Sequence, residues 1–174
     1  MIDPRTAPDG EDYLAYNERR WGGDGWTRSL RSAGKIDGVE FADWATWPNT
    51  LHANRLLLLA EEHGLGPKLK DIIFRMCYEE GENVSLRSTV ARAAEEAGIP
   101  GGAEHAMSDD GMEELQRALN SACVNGNRVS GVPYYSVMDG ALAFSGAQPT
   151  GQWVKVLNAA AQDLSASVED TDGC

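Results

Sequence analysis

The side chains best suited to chemistry in this sequence are its three cysteines and three histidines. A thiol reacts as its thiolate, which forms when the group is exposed and near a cation or a helix N-terminus. Cys77, Cys123 and Cys174 are an odd number at wide spacing, and no C-x-x-C pair occurs among them. Neither a disulfide framework nor a redox dithiol is built from these residues. Cys77 and Cys123 fall on apolar faces of expected helices, where cysteine packs as a small hydrophobe. Cys174 ends an acidic tail whose Glu169, Asp170 and Asp172 raise its pKa. His52, His63 and His105 show no ligand spacing, so no metal site is expected, and no catalytic residue is assigned. Gln148 precedes a helix start at Thr150, where the free N–H groups of the first turn favour an anion such as a ligand carboxylate. The same amide could instead brace the turn.

The net charge of −12 argues against nucleic acid, whose phosphates require Lys and Arg to displace counterions. Lys35, Lys68, Lys70 and Lys155 are the only lysines, too few and too scattered for a polybasic membrane patch. No apolar run approaches a membrane span. The stretch Met1–Pro8 has neither the basic start nor the apolar run of a signal peptide, so a cytoplasmic location is expected. At 174 residues, 42% of them hydrophobic, the chain can bury one sizeable core.

Those residues need elements to position them. A lead-in with Pro4, Pro8 and Gly10 is followed by a predicted helix over Glu11–Trp21, a break at Gly22-Gly23-Asp24-Gly25, and a second helix over Trp26–Ala33. Val39 and Phe41 alternate with polar residues but are too few for a strand. Trp21, Trp26, Trp44 and Trp47 are expected to pack these helices on the body. From Asn49 the pattern is helical, with Asn49 or Thr50 as cap, Leu56–Leu59 apolar nearly all round, and Gly64 as the left-handed stop. Pro67 suits the first turn of the next helix, which carries Leu69, Ile72, Ile73, Met76 and Cys77 on one face and runs to Gly81. Ser85 is predicted to cap a helix burying Leu86, Val90, Ala93, Ala94 and Ala97, closed by Gly98. A glycine-rich loop follows. Asp110 with Glu113 then resembles a capping box, before a helix burying Met112, Leu115, Leu119, Ala122 and Cys123.

Only then does the texture change. Val132–Val137 is β-branched and aromatic, Asp139-Gly140 is a hairpin turn, and Ala141–Phe144 returns. Thr150 starts a last helix with Trp153, Val156, Leu157, Ala160, Ala161 and Leu164 inward. The chain divides accordingly into a lead-in with short helices (1–48), a helical domain (49–128), a hairpin-and-helix part (129–164) and a disordered acidic tail (165–174). The class is α+β and mostly helical. A lone hairpin is marginal in water, so its open edge invites a partner strand or a second copy of the chain.

Gly131-Val132-Pro133-Tyr134-Tyr135, Asp139-Gly140 and Phe144-Ser145-Gly146-Ala147-Gln148 resemble the C-terminal half of DsbA-like, thioredoxin-fold proteins of the FrnE type. There G-V-P-x-F/Y leads into a hairpin, and S-G-A-Q precedes the final helix. Asn49-Thr50, His52-Ala53, Arg55-Leu56 and Ala60 look like that family's N-T-x-x-A-H/N-R-L-x-x-x-A helix. Phe74-Arg75, Glu80-Gly81 and Asn83-Val84-Ser85 look like its L-F-x-A-Y-F-x-x-G-x-D/N-I-S stretch, and Asp3-Pro4 with Tyr13-Leu14 fit its L-x-P … Y-L passage.

The resemblance spans roughly residues 3–160. It implies a thioredoxin fold split by a helical insertion, of which this chain holds the insertion, the last hairpin and the last helix. The family's first strands and its C-P-x-C would then precede Met1, so the chain is expected to be a truncated form without its own dithiol. The resemblance also implies a cis-proline loop at Val132-Pro133 facing the active site; with Gln148, read from its place before the helix start, these are the expected substrate-binding residues. There the main chain of Val132 would pair with an extended peptide or with glutathione as a thiol substrate; no cofactor is implied. The implied activity is thiol–disulfide exchange. A non-catalytic peptide- or partner-binding module is the alternative, and a glutathione-dependent isomerase or transferase on the same scaffold is a third reading.

Overall fold

A computed structural model of the chain describes residues 5–41, 43–121, 123–124, 127–128, 133–138 and 140–169. They form two compact units, Ile2–Ala118 and Leu119–Cys174.

The larger unit opens with a two-residue strand, β1 (Glu11–Asp12), antiparallel to β2 (Thr46–Trp47), with Glu11 opposite Trp47. Helix α1 therefore begins at Tyr13, two residues later than expected, because Asp12 serves as its cap and accepts the Ala15 N–H at 2.8 Å. It stops at Trp21, where Gly22 takes the left-handed conformation at φ 70°. Helix α2 (Thr27–Ile36) runs past Ala33. Trp44 and Trp47 pack on α1 as expected, whereas Trp21 and Trp26 remain 48% and 45% exposed. Tyr16 stacks on Trp47 with ring centroids 4.3 Å apart, and Tyr13 lies 4.6 Å from Trp44.

Helix α3 (Leu51–Glu62) has Thr50 at its cap position, but the Thr50 hydroxyl accepts from Asn54, and it is Asn49 Oδ1, one residue earlier, that accepts the Leu51 N–H at 3.1 Å. Gly64 ends the turn at φ 68°. Leu56 is fully buried, with Leu57 and Leu59 packed on the same core. Helix α4 (Gly66–Phe74) has Pro67 in its first turn, then widens into one π-helical turn over Arg75–Glu79, so the single helix expected up to Gly81 is broken. The Glu80 N–H reaches back to the Arg75 carbonyl at 3.1 Å. Leu69, Ile72, Met76 and Cys77 are buried; Ile73 is only partly so.

Helix α5 (Arg87–Ala97) buries Val90, Ala93, Ala94 and Ala97. Two expectations at its start are corrected. Ser85 is not the cap: its hydroxyl accepts the Asn49 N–H at 2.8 Å. Leu86 is extended, off the helical face, and 39% exposed. The expected glycine-rich loop contains a helix, α6 (Gly102–Met107). A Cβ on Gly102 would lie 2.9 Å from those of Ala94 and Ile99, so glycine there permits close helix packing. Helix α7 (Met112–Ser121) begins after Gly111, whose carbonyl accepts the Leu115 N–H at 3.0 Å; Asp110 therefore stands outside the cap position. Leu115 is buried, but Met112 and Leu119 are exposed rather than inward.

In the second unit Cys123 lies not on a helical face but in β3 (Cys123–Val124), opposite Arg128 of β4 (Asn127–Arg128). Ala122 lies outside the described residues. Strands β5 (Tyr134–Val137) and β6 (Leu142–Ser145) form the expected hairpin, with Tyr135 opposite Phe144 and Val137 opposite Leu142. At its turn the Ala141 N–H donates to the Met138 carbonyl at 3.0 Å, and Gly140 has φ 94°. Asp139 lies outside the described residues. Helix α8 spans Thr150–Glu169 and takes in residues 165–169, expected as tail. Trp153 meets Tyr135 and Phe144 at 4.6 and 5.2 Å, and Val156 is buried. Leu157 and Ala161, expected inward, are exposed.

The architecture is mostly helical α+β, a helical body followed by hairpin and helix. Among the described residues no helix is long and apolar enough to cross a membrane.

Candidate functional site

Pro133 and Gln148 come together at the open end of the hairpin through Gly146. The Pro133 carbonyl accepts the Gly146 N–H at 2.8 Å, one step beyond the Tyr134–Ser145 pair. Gly146 has φ 81°, a conformation that favours glycine. Two residues on, Gln148 Nε2 donates to the carbonyls of Ser145 at 3.1 Å and Gly146 at 3.4 Å. The amide thus braces the turn. Pro133 is exposed and Gln148 half-buried. Val132 lies outside the described residues.

Cys77 is buried in the core of the larger unit, and burial pushes its thiol up to about 12. At that value it is neither nucleophile nor metal ligand near neutral pH. Cys174 lies outside the described residues. Among those described, no group of three or more His, Cys, Asp or Glu could hold a metal ion.

The most elaborate polar constellation centres on Arg55, which is fully buried. Its guanidinium donates to the carbonyls of Asp110 at 2.8 Å, His105 at 2.9 Å and Ser108 at 2.7 Å, and to Nδ1 of His52 at 2.9 Å. Arg87 adds contacts to the Met107 and Ser108 carbonyls and an ion pair with Asp109. That hydrogen bond holds the Asp109 carboxyl below its ordinary range. Burial first, then the charges of Arg87 and Arg55, lower the pKa of His52. These groups fasten the chain between α6 and α7. His63 stands exposed at the end of α3. His105 Nε2 is buried without a hydrogen-bond partner.

One further feature escaped the sequence reading. Trp26, Trp44 and Trp47 also line a groove of about 570 Å³ in the larger unit. Leu30, Phe41, Phe74 and Tyr78 line it with them. Trp26 is 45% and Phe74 57% exposed. Asp71, Arg75 and Glu79 line the same groove. The only available signal was the density of aromatics between Trp21 and Trp47, which also serves the core.

A helical body followed by a two-stranded hairpin and a closing helix defines an α+β protein of DsbA-like thioredoxin architecture. Residues 27–158 match the DSBA-like thioredoxin domain, and the chain belongs to that family. Among solved structures it is similar to a probable DsbA oxidoreductase from Streptomyces coelicolor, with a TM-score of 0.78 and 23% identity over 91% of this chain and 71% of that one. No curated protein matches it.

Proposed function

We propose that this chain is the helical and C-terminal part of a FrnE-type thiol–disulfide oxidoreductase whose redox dithiol lies in a portion of the protein outside these residues. The family match carries the reading. It is supported by the hairpin, whose strands pair only with each other among the described residues, and by the greater length of the similar Streptomyces structure. Neither the sequence nor Cys77, with its thiol near 12, offers a dithiol here. In such an enzyme a thiolate attacks a disulfide, a mixed disulfide forms as the other sulfur leaves, and a second thiolate resolves it. The Val132-Pro133 turn, as a cis-proline loop, would offer main-chain groups to the extended substrate, with Gln148 holding the loop's shape from behind.

The test is to read the codons upstream of Met1 and express the longer frame. A strand followed by C-P-x-C, with insulin-disulfide turnover lost on changing the first cysteine to serine, is the expected result. Translation that starts at Met1 would overturn it. A second reading would then stand, a non-catalytic module that binds a peptide, a partner strand or its own copy through the hairpin edge. The two unpaired strand edges among the described residues favour it.

A further inference from the structure

We infer that the surface around helix α2 is the interface of a homodimer, in which Arg28, Arg31 and Lys35 of one copy meet Asp71 and Glu79 of the other. The inference stands apart from thiol–disulfide exchange and uses a surface of the Ile2–Ala118 unit, not the hairpin edge.

Helix α2 is poorly supported by its own chain. Of its ten residues only Thr27 is buried, and no side chain caps its N-terminus. Among the described residues no other helix or strand makes more than slight contact with it. A helix of this length, with Gly34 inside it, does not hold in water by propensity and depends on burial of an apolar face. Yet Leu30 is 42% and Ile36 87% exposed. Leu30 lines the aromatic groove with Trp26, Val39 and Phe74, each of them also more than a third exposed. Several large apolar side chains exposed on one surface mark an interaction site, and a partner covering α2 would bury them together.

Charge names the partner. The chain carries −12, so a second copy is repelled over most of its surface. The surface of α2 is the exception. Arg28, Arg31 and Lys35 recur at helical spacing and line one hollow beside Phe41. None of the three pairs with a carboxylate among the described residues, whereas Arg19, Lys70, Arg92 and Arg117 all do. Glu40 lines the hollow too but forms no ion pair with them. Arg31 is fixed by donating to the Phe41 carbonyl, with its guanidinium over the Tyr13 and Trp44 rings at 5.8 and 5.9 Å. Phe41 also lines the aromatic groove, and so do Asp71 and Glu79. Neither carboxylate has a hydrogen-bond or ion-pair partner among the described residues. Arg75, which lines the groove with them, is already held by Glu80 and Glu96.

Unanswered cations and unanswered carboxylates therefore border one apolar surface. A two-fold axis lays such a patch on itself with the charges exchanged, so that each opposite pair forms twice. An acidic partner would satisfy α2 but set like charge against Asp71 and Glu79, and a basic partner would do the reverse. A second copy satisfies both.

Sedimentation velocity of the chain at low salt, across a range of concentrations, should show a monomer–dimer equilibrium. Arg28→Glu with Lys35→Glu, and separately Asp71→Lys with Glu79→Lys, should each weaken dimerisation about tenfold or more. Mixed in equal amounts, the two variants should recover it, because every reversed charge then faces its opposite. Added salt should weaken the mixed dimer. Residues 28, 35 and 71 are exposed, and circular dichroism verifies that each variant is folded. If either double variant fails to fold, Arg28→Glu crossed with Asp71→Lys makes the same comparison. A chain that stays monomeric at every concentration overturns the inference. So does a dimer that either variant leaves intact, which would place the association elsewhere, as at the hairpin edge. Folded variants that do not recover on mixing overturn it as well. The readout is association, so the presence or absence of a dithiol leaves it unchanged, and failure here leaves the exchange reading intact.

Discussion

The guanidinium of Arg55 donates to Nδ1 of His52 at 2.9 Å, and this contact dictates the protonation state of the imidazole. A guanidinium has donors only, so the ring nitrogen facing it must carry a lone pair. Burial and the charges of Arg87 and Arg55 act in the same direction and lower the pKa of His52, with Asp109 opposing them weakly. The unfolded chain therefore takes up a proton at a higher pH than the folded chain does. Stability from this site is complete above the ordinary histidine pKa of about 6.5 and is lost as pH falls toward the lower folded value. His52→Gln keeps an acceptor without titrating. Thermal melts between about pH 7.5 and about pH 5 should show a shallower decline for the variant than for the parent chain. Equal slopes would refute the coupling.

Arg55 itself is expected to be the costliest polar residue to lose. Arg55→Met fills similar space but strands the Asp110 carbonyl and leaves those of Ser108 and His105 with only the donors Arg87 and the Ser108 hydroxyl, at about 1–3 kcal/mol for each lost bond that water cannot replace. A total loss of about 3 kcal/mol or more is expected in urea unfolding. Arg55→Lys should recover only part of it, because an ammonium on a shorter fork cannot reach the same set of acceptors. A loss below about 1 kcal/mol for Arg55→Met would show that water already serves those carbonyls.

For Cys77 the expectation concerns reactivity. With its thiol raised from 9.0 to about 12 by burial, the folded chain should label it about a thousandfold more slowly than the urea-unfolded chain does at the same pH. Peptide mapping after timed alkylation measures this directly. Rapid labelling in the folded state would place Cys77 back among the candidates for redox work.

Much of the fold was legible because its cues are local. Gly22, Gly64 and Gly98 end helices where the periodic pattern stops, and each has positive φ. The β-branched and aromatic run Val132–Val137, with Asp139-Gly140 and the return Ala141–Phe144 after it, marks the hairpin in which Tyr134–Val137 pairs with Leu142–Ser145. What failed to show depends on distant partners. Gly102 reads as loop in isolation, yet it is helical because Ala94 and Ile99 press against it. Ser85 has the composition of a cap, but its hydroxyl is claimed by Asn49 across the unit. The Asn-Gly sequence between Cys123–Val124 and Asn127–Arg128 is a hairpin signal in composition, and the strands on either side of it pair; the apolar periodicity that reads as helix through Cys123 masks that signal. Arg55 stood out only through the family resemblance, since its carbonyl partners lie some fifty positions away in sequence. Of the expected site, Pro133 and Gln148 do share one end of the hairpin, but the aromatic groove could not be separated from core packing, because Trp44 and Tyr78 belong to both.

The remaining expectation separates two roles for Gln148. As a turn brace, its Nε2 satisfies the Ser145 and Gly146 carbonyls, and losing it costs about 0.5–1.5 kcal/mol because these groups are only partly removed from water. Gln148→Ala should fall in that range. Gln148→Glu should be worse despite its matched size, since it offers no N–H donor and sets a carboxylate against two carbonyl oxygens. Urea unfolding of the chain gives both values. A residue held only for a ligand would make neither change costly, so two neutral variants would return Gln148 to the role of ligand contact, with its amide free to turn outward. The order Gln, Ala, Glu from most to least stable would instead fix it as the support of the turn at Ser145 and Gly146.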